Sequence, residues 1–467
     1  MKEKKLFDAI TDVHDELIEE AKETKLKKKT KKTKAWQKWT AVAACAVLVF
    51  GMGMLFIKDG IGTTSNIKPI LDVIYPKAYA FDDNNAAREV REQNPVDDSF
   101  ITALNDFSYK TGTLILKESG ENINYSPLSL YYALSIAASG ARNETADEIL
   151  ALLGMADTQV LSEQCGNLYR ALYFYNEIGK LKIANSLWID DDMNGIPIVF
   201  KDDFVEQTAE NFYASSYSVD FAKEETGKSM AEWVANNTNG TLSPSFEVNP
   251  YQILSIVNTV YFYDQWSDRF DKDKTAEDVF YLSDGSELKC DFMNQSFGSA
   301  GFAKGGGFTR ADLGLKNAGR MVFILPDEGI SPYELLSSPE QMQELFEGGE
   351  NSYGEVTWKI PKFSFSSKLP LKKVLISLGI NSAFNIDADF SGITDTPAYI
   401  TDVRQETHIA IDEKGVEASA FTEIQFAGAG LPEDRAEMIL DRPFIYGITA
   451  QNGSLLFVGV CENPVTK

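Results

Sequence analysis

Side chains able to carry out chemistry are sparse in this chain. His14 and His408 are the only imidazoles in 467 residues. His408 lies in "THIAIDE", whose alternation is that of a strand, and it reads as structural rather than catalytic. The four cysteines, at 45, 165, 290 and 461, show no C-x-x-C or paired spacing. One of them, Cys45, lies in an apolar run and leaves an odd number elsewhere, so neither a disulfide framework nor a zinc site is implied. G-x-S-x-G, H-E-x-x-H and a P-loop are all missing; "GFAKGGGF" lacks the Lys-Ser/Thr pair that would touch phosphate and reads as a turn. An enzyme is therefore disfavoured, and no catalytic residue, metal site or cofactor is assigned.

The segment that stands out is "EKGVEASAFTEIQFAGAGLPEDR", Glu413 to Arg435. Val416, Ala418, Ala420, Thr422, Ile424 and Phe426 fall on one face of an extended chain. Glu417, Ser419, Phe421, Glu423 and Gln425 fall on the other. One face is free of charge and the other carries both acids, after which the chain dissolves into Ala427, Gly428, Ala429 and Gly430. Taken alone, the segment reads as an edge strand or hairpin arm running into a loop.

The elements that must position it follow from composition. Hydrophobic residues make up 44% of the chain, enough for a large core, and the net charge is −25. Residues 1–58 hold 13 Lys and 8 acids, a net of +5, which leaves 31 basic and 61 acidic residues, a net of −30, for the remainder. So acidic a body argues against nucleic acid and anionic lipid as partners and for attraction of basic proteins.

At the N-terminus, "LFDAITDVHDELIEEA" has helical apolar spacing and is followed by the Lys-rich "KLKKKTKKTKAWQKW". Then Trp39 to Ile57 runs for nineteen residues without a charge, about enough to cross a bilayer core of roughly 30 Å as a helix. The flanking Lys run predicts a cytoplasmic stem over 1–38, a transmembrane helix over 39–57 and an outward-facing remainder, at the cell surface or released by cleavage. A cleaved signal peptide and a lipoprotein signal ending in "VAAC" are the alternatives. The uncut anchor is preferred because no A-x-A site closes the apolar run.

A spacer is expected over 58–98, then one large domain over 99–467 without repeats or low-complexity linkers. "SPLSLYYALSIAASGARNETADEILALLG" predicts a helix to about Ala138, a turn at Gly140, and a second helix begun by Asn143 or Thr145 and stopped by Gly154. "LSIVNTVYFYDQW" and "GRMVFILP" predict buried strands. Helices gather in the first half and strands in the second, the order of an α+β domain.

Several stretches, in order, resemble the serpin family, and the resemblance covers nearly all of 99–464. "NINYSPLSLYYALSIAASGARNETADEILALLG" resembles its early helix pair, and "MAEWVANNTNGTL" its W-V-x-x-x-T-N-G segment. "LSIVNTVYFYDQWSDRFDKDKTAEDVFYLSDGSELKCDFMNQ", "FILPDEG" and "DRPFIYGI" complete the set. The chain looks like a prokaryotic-type member with an N-terminal anchor.

The resemblance implies three β-sheets, about nine helices and an exposed reactive loop, which the opening segment would be. It also implies a suicide-substrate inhibitor of serine proteases that acts as a monomer: the loop is cut and inserts as a new strand of the main sheet. Glu413, Gly415, Val416, Ala418, Ala420 and Thr422 would form the hinge, with Glu413 paired to Lys362. A sheet-opening cluster of Ser126, Ser129 and Asn258 is implied, with Gln405 where the family usually has His. Trp188 would be the aromatic at the sheet's upper opening. The reactive bond falls at Ala427, Gly428, Ala429 or Gly430, whose small side chains point to elastase-like proteases, with subtilisin-like enzymes second. Only Arg170, Lys180 and Lys182 are basic between Val160 and Lys182, so a heparin-type cofactor is not expected. A non-inhibitory binding or structural protein on the same fold remains the alternative.

Overall fold

The computed structural model describes residues 67–465 apart from 118, 119, 194, 248, 318 and 417–433. At its centre lies the helix Pro127–Gly140 (α1). The Ser126 hydroxyl caps it by accepting from Ser129 N, and Pro127 fits the first turn, where no intrahelical N–H is needed. Its sequence is apolar or small all round, which suits a helix buried on every side. Gly140 closes the helix where Ile393 packs so tightly that a Cβ would come within 2.1 Å of its Cγ1, and the chain turns into extended backbone at Ala141. The next helix, Asn143–Leu153, ends on Gly154 in the left-handed region at φ 69°.

Among the described residues the main sheet has seven strands: β1 Phe174–Tyr175, β2 Lys180–Asp190, β3 Ala214–Val219, β4 Leu254–Gln265, β5 Phe363–Pro370, β6 Arg404–Asp412 and β7 Gly415–Val416. Their order is β5-β6-β7-β4-β2-β1, with β3 paired to β2. β2 and β4 are antiparallel, with Asn185 opposite Asn258. Helix α1 packs on one face; the helix Glu224–Asn237 (α2) covers part of the other through Met230 and Val234, over Trp188 and Val257. Covered on both faces, β2 is buried almost throughout.

A second sheet, of nine strands among the described residues, is built around the buried hairpin Phe444–Thr449 and Leu455–Cys461, and Asp192–Met193 with Ile196–Pro197 makes a small third sheet. Ten α-helices occur among the described residues, against the nine or so expected. The described part of β7 ends at Val416, and Arg435–Ile439 lies in the second sheet, parallel to Glu350–Pro361.

The described part of the expected spacer belongs to the body. Ile70 N donates to Ser216 O at 2.6 Å and Ser216 N to Leu71 O at 3.0 Å, extending the sheet beyond β3. The Tyr75 ring stacks at 6.3 Å from Tyr173 and 6.4 Å from Tyr213, under Lys182 Nζ at 4.3 Å. A helix, Asn84–Gln93, then leads to the helix Asp98–Leu116. No helix among the described residues is long and apolar enough to cross a membrane, and both the stem 1–38 and the span 39–57 lie outside them. Cys165, Cys290 and Cys461 are free and buried. Burial pushes the Cys165 thiol up to about 12 and that of Cys290 to about 11, so neither is a thiolate nucleophile at neutral pH.

Candidate functional site

Strands β6 and β7 form a hairpin whose turn is Glu413–Lys414, with Asp412 opposite Gly415 and Ile411 opposite Val416. An Asp side chain can hold such a turn by accepting from the backbone ahead of it. Here Asp412 Oδ1 accepts from Lys414 N at 2.8 Å and Gly415 N at 3.3 Å. On its other side β7 pairs with β4, Gly415 against Gln265 and Val416 against Asp264. The approach of β4 is what demands glycine: a Cβ on Gly415 would lie 2.3 Å from Asp264 O. Val416 is 3% exposed and packs into the core.

Trp266, fully buried, locks this hairpin. Its Nε1 donates to Asp412 O at 2.8 Å, its backbone N to Lys414 O at 3.1 Å, and its ring meets Phe270 edge-on at 6.2 Å. The buried Glu413 carboxylate accepts from the Thr275 hydroxyl at 2.8 Å and from Lys362 Nζ at 3.2 Å.

Trp188 is not the aromatic at this opening. Antiparallel register sets it opposite Ser255, at the end of β4 remote from Gly415, where it stacks on Tyr217 at 4.2 Å. Trp266 occupies the position expected of it. Asp412 and Thr275 were also missed, although the turn "DEKG" is a readable Asx signal.

Four cluster residues meet at the start of α1. Gln405 Oε1 accepts from Ser126 N at 2.8 Å, and its Nε2 donates to Ser126 O at 2.9 Å. Ser129 Oγ donates to Asn258 Oδ1, Asn258 Nδ2 to Asn185 Oδ1 at 2.6 Å, and Asn185 Nδ2 to Phe212 O at 2.6 Å. Strands β6 and β4 are thus fastened to the same helix end, one through Gln405 and the other through Asn258. Asn185 extends the chain and escaped the sequence reading. The amide of Gln405 donates and accepts at once without titrating. His408 lies on the opposite face of β6, where its Nδ1 is 2.9 Å from Ser366 Oγ and burial holds its pKa below the usual value.

Between the lower parts of β4 and β6 is a cavity of about 640 Å³, with Ile256 and Asn258 on one wall, Val403 and Gln405 on the other, and Leu130 and Leu134 of α1 at its back. Ala418, Ala420, Thr422 and the reactive-bond candidates 427–430 lie outside the described residues. The three basic residues Arg170, Lys180 and Lys182 are all engaged, with Asn94, the Tyr175 ring and Asn237.

The Glu413 pair carries a pH prediction. Burial by itself raises the Glu413 pKa, but a backbone N–H, Thr275 and Lys362 outweigh it and hold the carboxyl below its usual value. With the folded value below the unfolded one, the stabilisation is complete above the unfolded pKa of about 4.3 and is lost as pH falls through the folded value. Lys362→Met leaves a buried carboxylate without its cation and is expected to cost about 2 kcal/mol at neutral pH. Urea midpoints measured along a pH series should show the gap between parent and variant closing on acidification.

The two-residue strand Gly415–Val416 thus lies between β4 and β6 of the main sheet, above a cavity lined by both strands. Comparison with known proteins identifies the family to which this architecture belongs. The family profile described as Serpin (serine protease inhibitor) matches residues 102–464. The chain is 28% identical over 374 residues to Serpin-Z7 of Hordeum vulgare, covering 75% of this chain and 92% of that protein. It is 28% identical over 374 residues to Serpin B11 of Mus musculus, covering 74% and 94%. The native-state crystal structure of the thermophilic serpin tengpin superposes with a TM-score of 0.72 at 26% identity, covering 85% of this chain and 99% of that one. The chain belongs to the serpin family, whose members generally inhibit serine proteases.

Proposed function

We propose that the chain is a suicide-substrate inhibitor of serine proteases with small, elastase-like specificity pockets. The observation that carries this reading is the seating of Gly415 and Val416 between β4 and β6. Continued downward, the same register would set residue 418 opposite Ile409 and Phe262, and 420 opposite Thr407 and Val260. Thr422 would meet Gln405 and Asn258, the two cluster residues that fasten the walls. Ile409, Thr407 and Gln405 are the buried positions of β6, so the uncharged face from Val416 to Phe426 would be the one turned inward. Ile424 and Phe426 would reach the cavity at the foot of the slot, against Ile256 and Val403. Arg404, opposite residue 423, would offer a cation to Glu423 on the outer face.

The cut is expected within 427–431. Leu431 precedes Pro432, whose ring lacks an N–H and crowds the backbone, so that bond is a poor substrate. Every other candidate residue is Ala or Gly. A trypsin-like pocket would find no cation there and a chymotrypsin-like slot would stay unfilled. Incubation with a protease panel and denaturing electrophoresis should yield a covalent complex with elastase, or failing that with a subtilisin-like enzyme. The released C-terminal peptide should start within residues 428–431 by mass spectrometry. Trapping of trypsin in preference to elastase overturns the specificity; cleavage by every protease without trapping assigns instead a non-inhibitory serpin-fold protein.

The Lys run and the charge-free span 39–57 support anchoring in the cell membrane with the serpin body outside. Protease shaving of intact cells should then remove the body, and protection of the body until lysis would contradict this topology.

A further inference from the structure

Beside the hinge, two cations share one neutral acceptor. Arg269 Nη2 donates to Gln265 Oε1 at 2.6 Å and Lys316 Nζ approaches the same oxygen at 3.4 Å. Neither cation forms an ion pair among the described residues, and Arg269 Nε is buried without a hydrogen-bond partner. Burial, and then the neighbouring guanidinium, lower the pKa of Lys316, against smaller opposing effects of the Asp264 and Asp268 carboxylates. The nearby Asp264 is turned to the Asn317 backbone and side-chain amides, at 2.8 and 2.9 Å.

This arrangement lies where the next residue of an entering strand would pass. Gln265 is opposite Gly415, and Asp264 opposite Val416. Residue 417 would therefore fall opposite Tyr263, on the face that carries Gln265 and away from the core side of Val416. It is Glu417, the first charged residue after β7. A diagonal neighbour at this spacing is within reach of long side chains.

We infer that Arg269 and Lys316 are positioning residues that receive the Glu417 carboxylate when the cut loop enters the sheet. The inference rests on the insertion reading above. It explains how an acid is accommodated at the second position of an inserting strand: the charge enters against two cations already in place. The same pair would draw the loop into register at its first step, before the uncharged residues below have any contact to make.

A double-mutant cycle tests this. The parent, Arg269→Gln, Glu417→Gln and the double variant are each nicked within 427–431, and thermal midpoints are measured for the intact and nicked forms. Each single change should lower the nicked midpoint by about 1–2 °C while leaving the intact midpoint unchanged, and the double change should lower it no further than either single. Molar salt should shrink the effect. If Arg269→Gln does not fold, Lys316→Gln takes its place in the cycle. Additive losses, or a nicked midpoint indifferent to Glu417→Gln, overturn the pairing while insertion stands. A parent that gains no stability on nicking refutes insertion itself, and the pairing with it.

Discussion

Val416→Arg is expected to turn the protein from an inhibitor into a substrate. Proteases that the parent traps should cleave the variant and depart, so that covalent complex falls at least tenfold while released C-terminal peptide accumulates. Val416 is buried opposite Ile411, on the core side of the main sheet. A guanidinium there would be desolvated without a partner, at several kcal/mol, and each 1.4 kcal/mol against insertion shifts the partition about tenfold. Ala418→Arg should behave alike, with one informative difference. On the proposed insertion its side chain would meet the sheet only after the cut, so the intact protein should keep its stability. Complex formation equal to the parent's in both variants would exclude insertion of this face.

Trp266→Ala should produce the second large effect, a loss of about 3–5 kcal/mol in the urea midpoint analysis. It empties a fully buried indole site and strands the Asp412 carbonyl that the ring nitrogen satisfies. Trp266→Phe keeps much of the apolar contact and should cost less, chiefly the lost hydrogen bond, about 1 kcal/mol. Trp188→Ala is the discriminating control. That ring is also buried, but beneath α2 at the other end of the sheet. It should destabilise the protein globally without loosening the hinge, whereas Trp266→Ala should also open the Glu413–Lys414 turn to proteolysis.

The contrast between these two tryptophans indicates what could be read from sequence. Properties carried by near neighbours in the chain were legible: the helix α1 and its end near Gly140, the Gly154 cap, and the charge-free face that begins at Val416. Properties set by partners far along the chain were not. Gly415 reads as a flexible hinge, yet its role is to admit β4, some 150 positions earlier, whose Asp264 O would lie 2.3 Å from a Cβ placed there. Which tryptophan sits at the hinge depends on the antiparallel register of β2 on β4, which no local pattern encodes. Tyr75 likewise gives no sign of the tyrosines it stacks upon, because Tyr173 and Tyr213 are brought together only by the fold. The Ser126–Gln405 and Ser129–Asn258 contacts were reached through family resemblance, while Asn185, which carries the chain on to Phe212, looks in sequence like any polar residue in a strand.

Hydrogen exchange across residues 417–426 after the loop is cut bears most directly on the central claim. If the segment becomes a strand between β4 and β6, its amides should exchange at the slow rates of interior strands, and the facing amides of residues 404–410 and 254–263 should gain protection with it. Exchange of 417–426 at the rate of an unstructured peptide, in a chain shown by mass spectrometry to be cut within 427–431, would contradict the account.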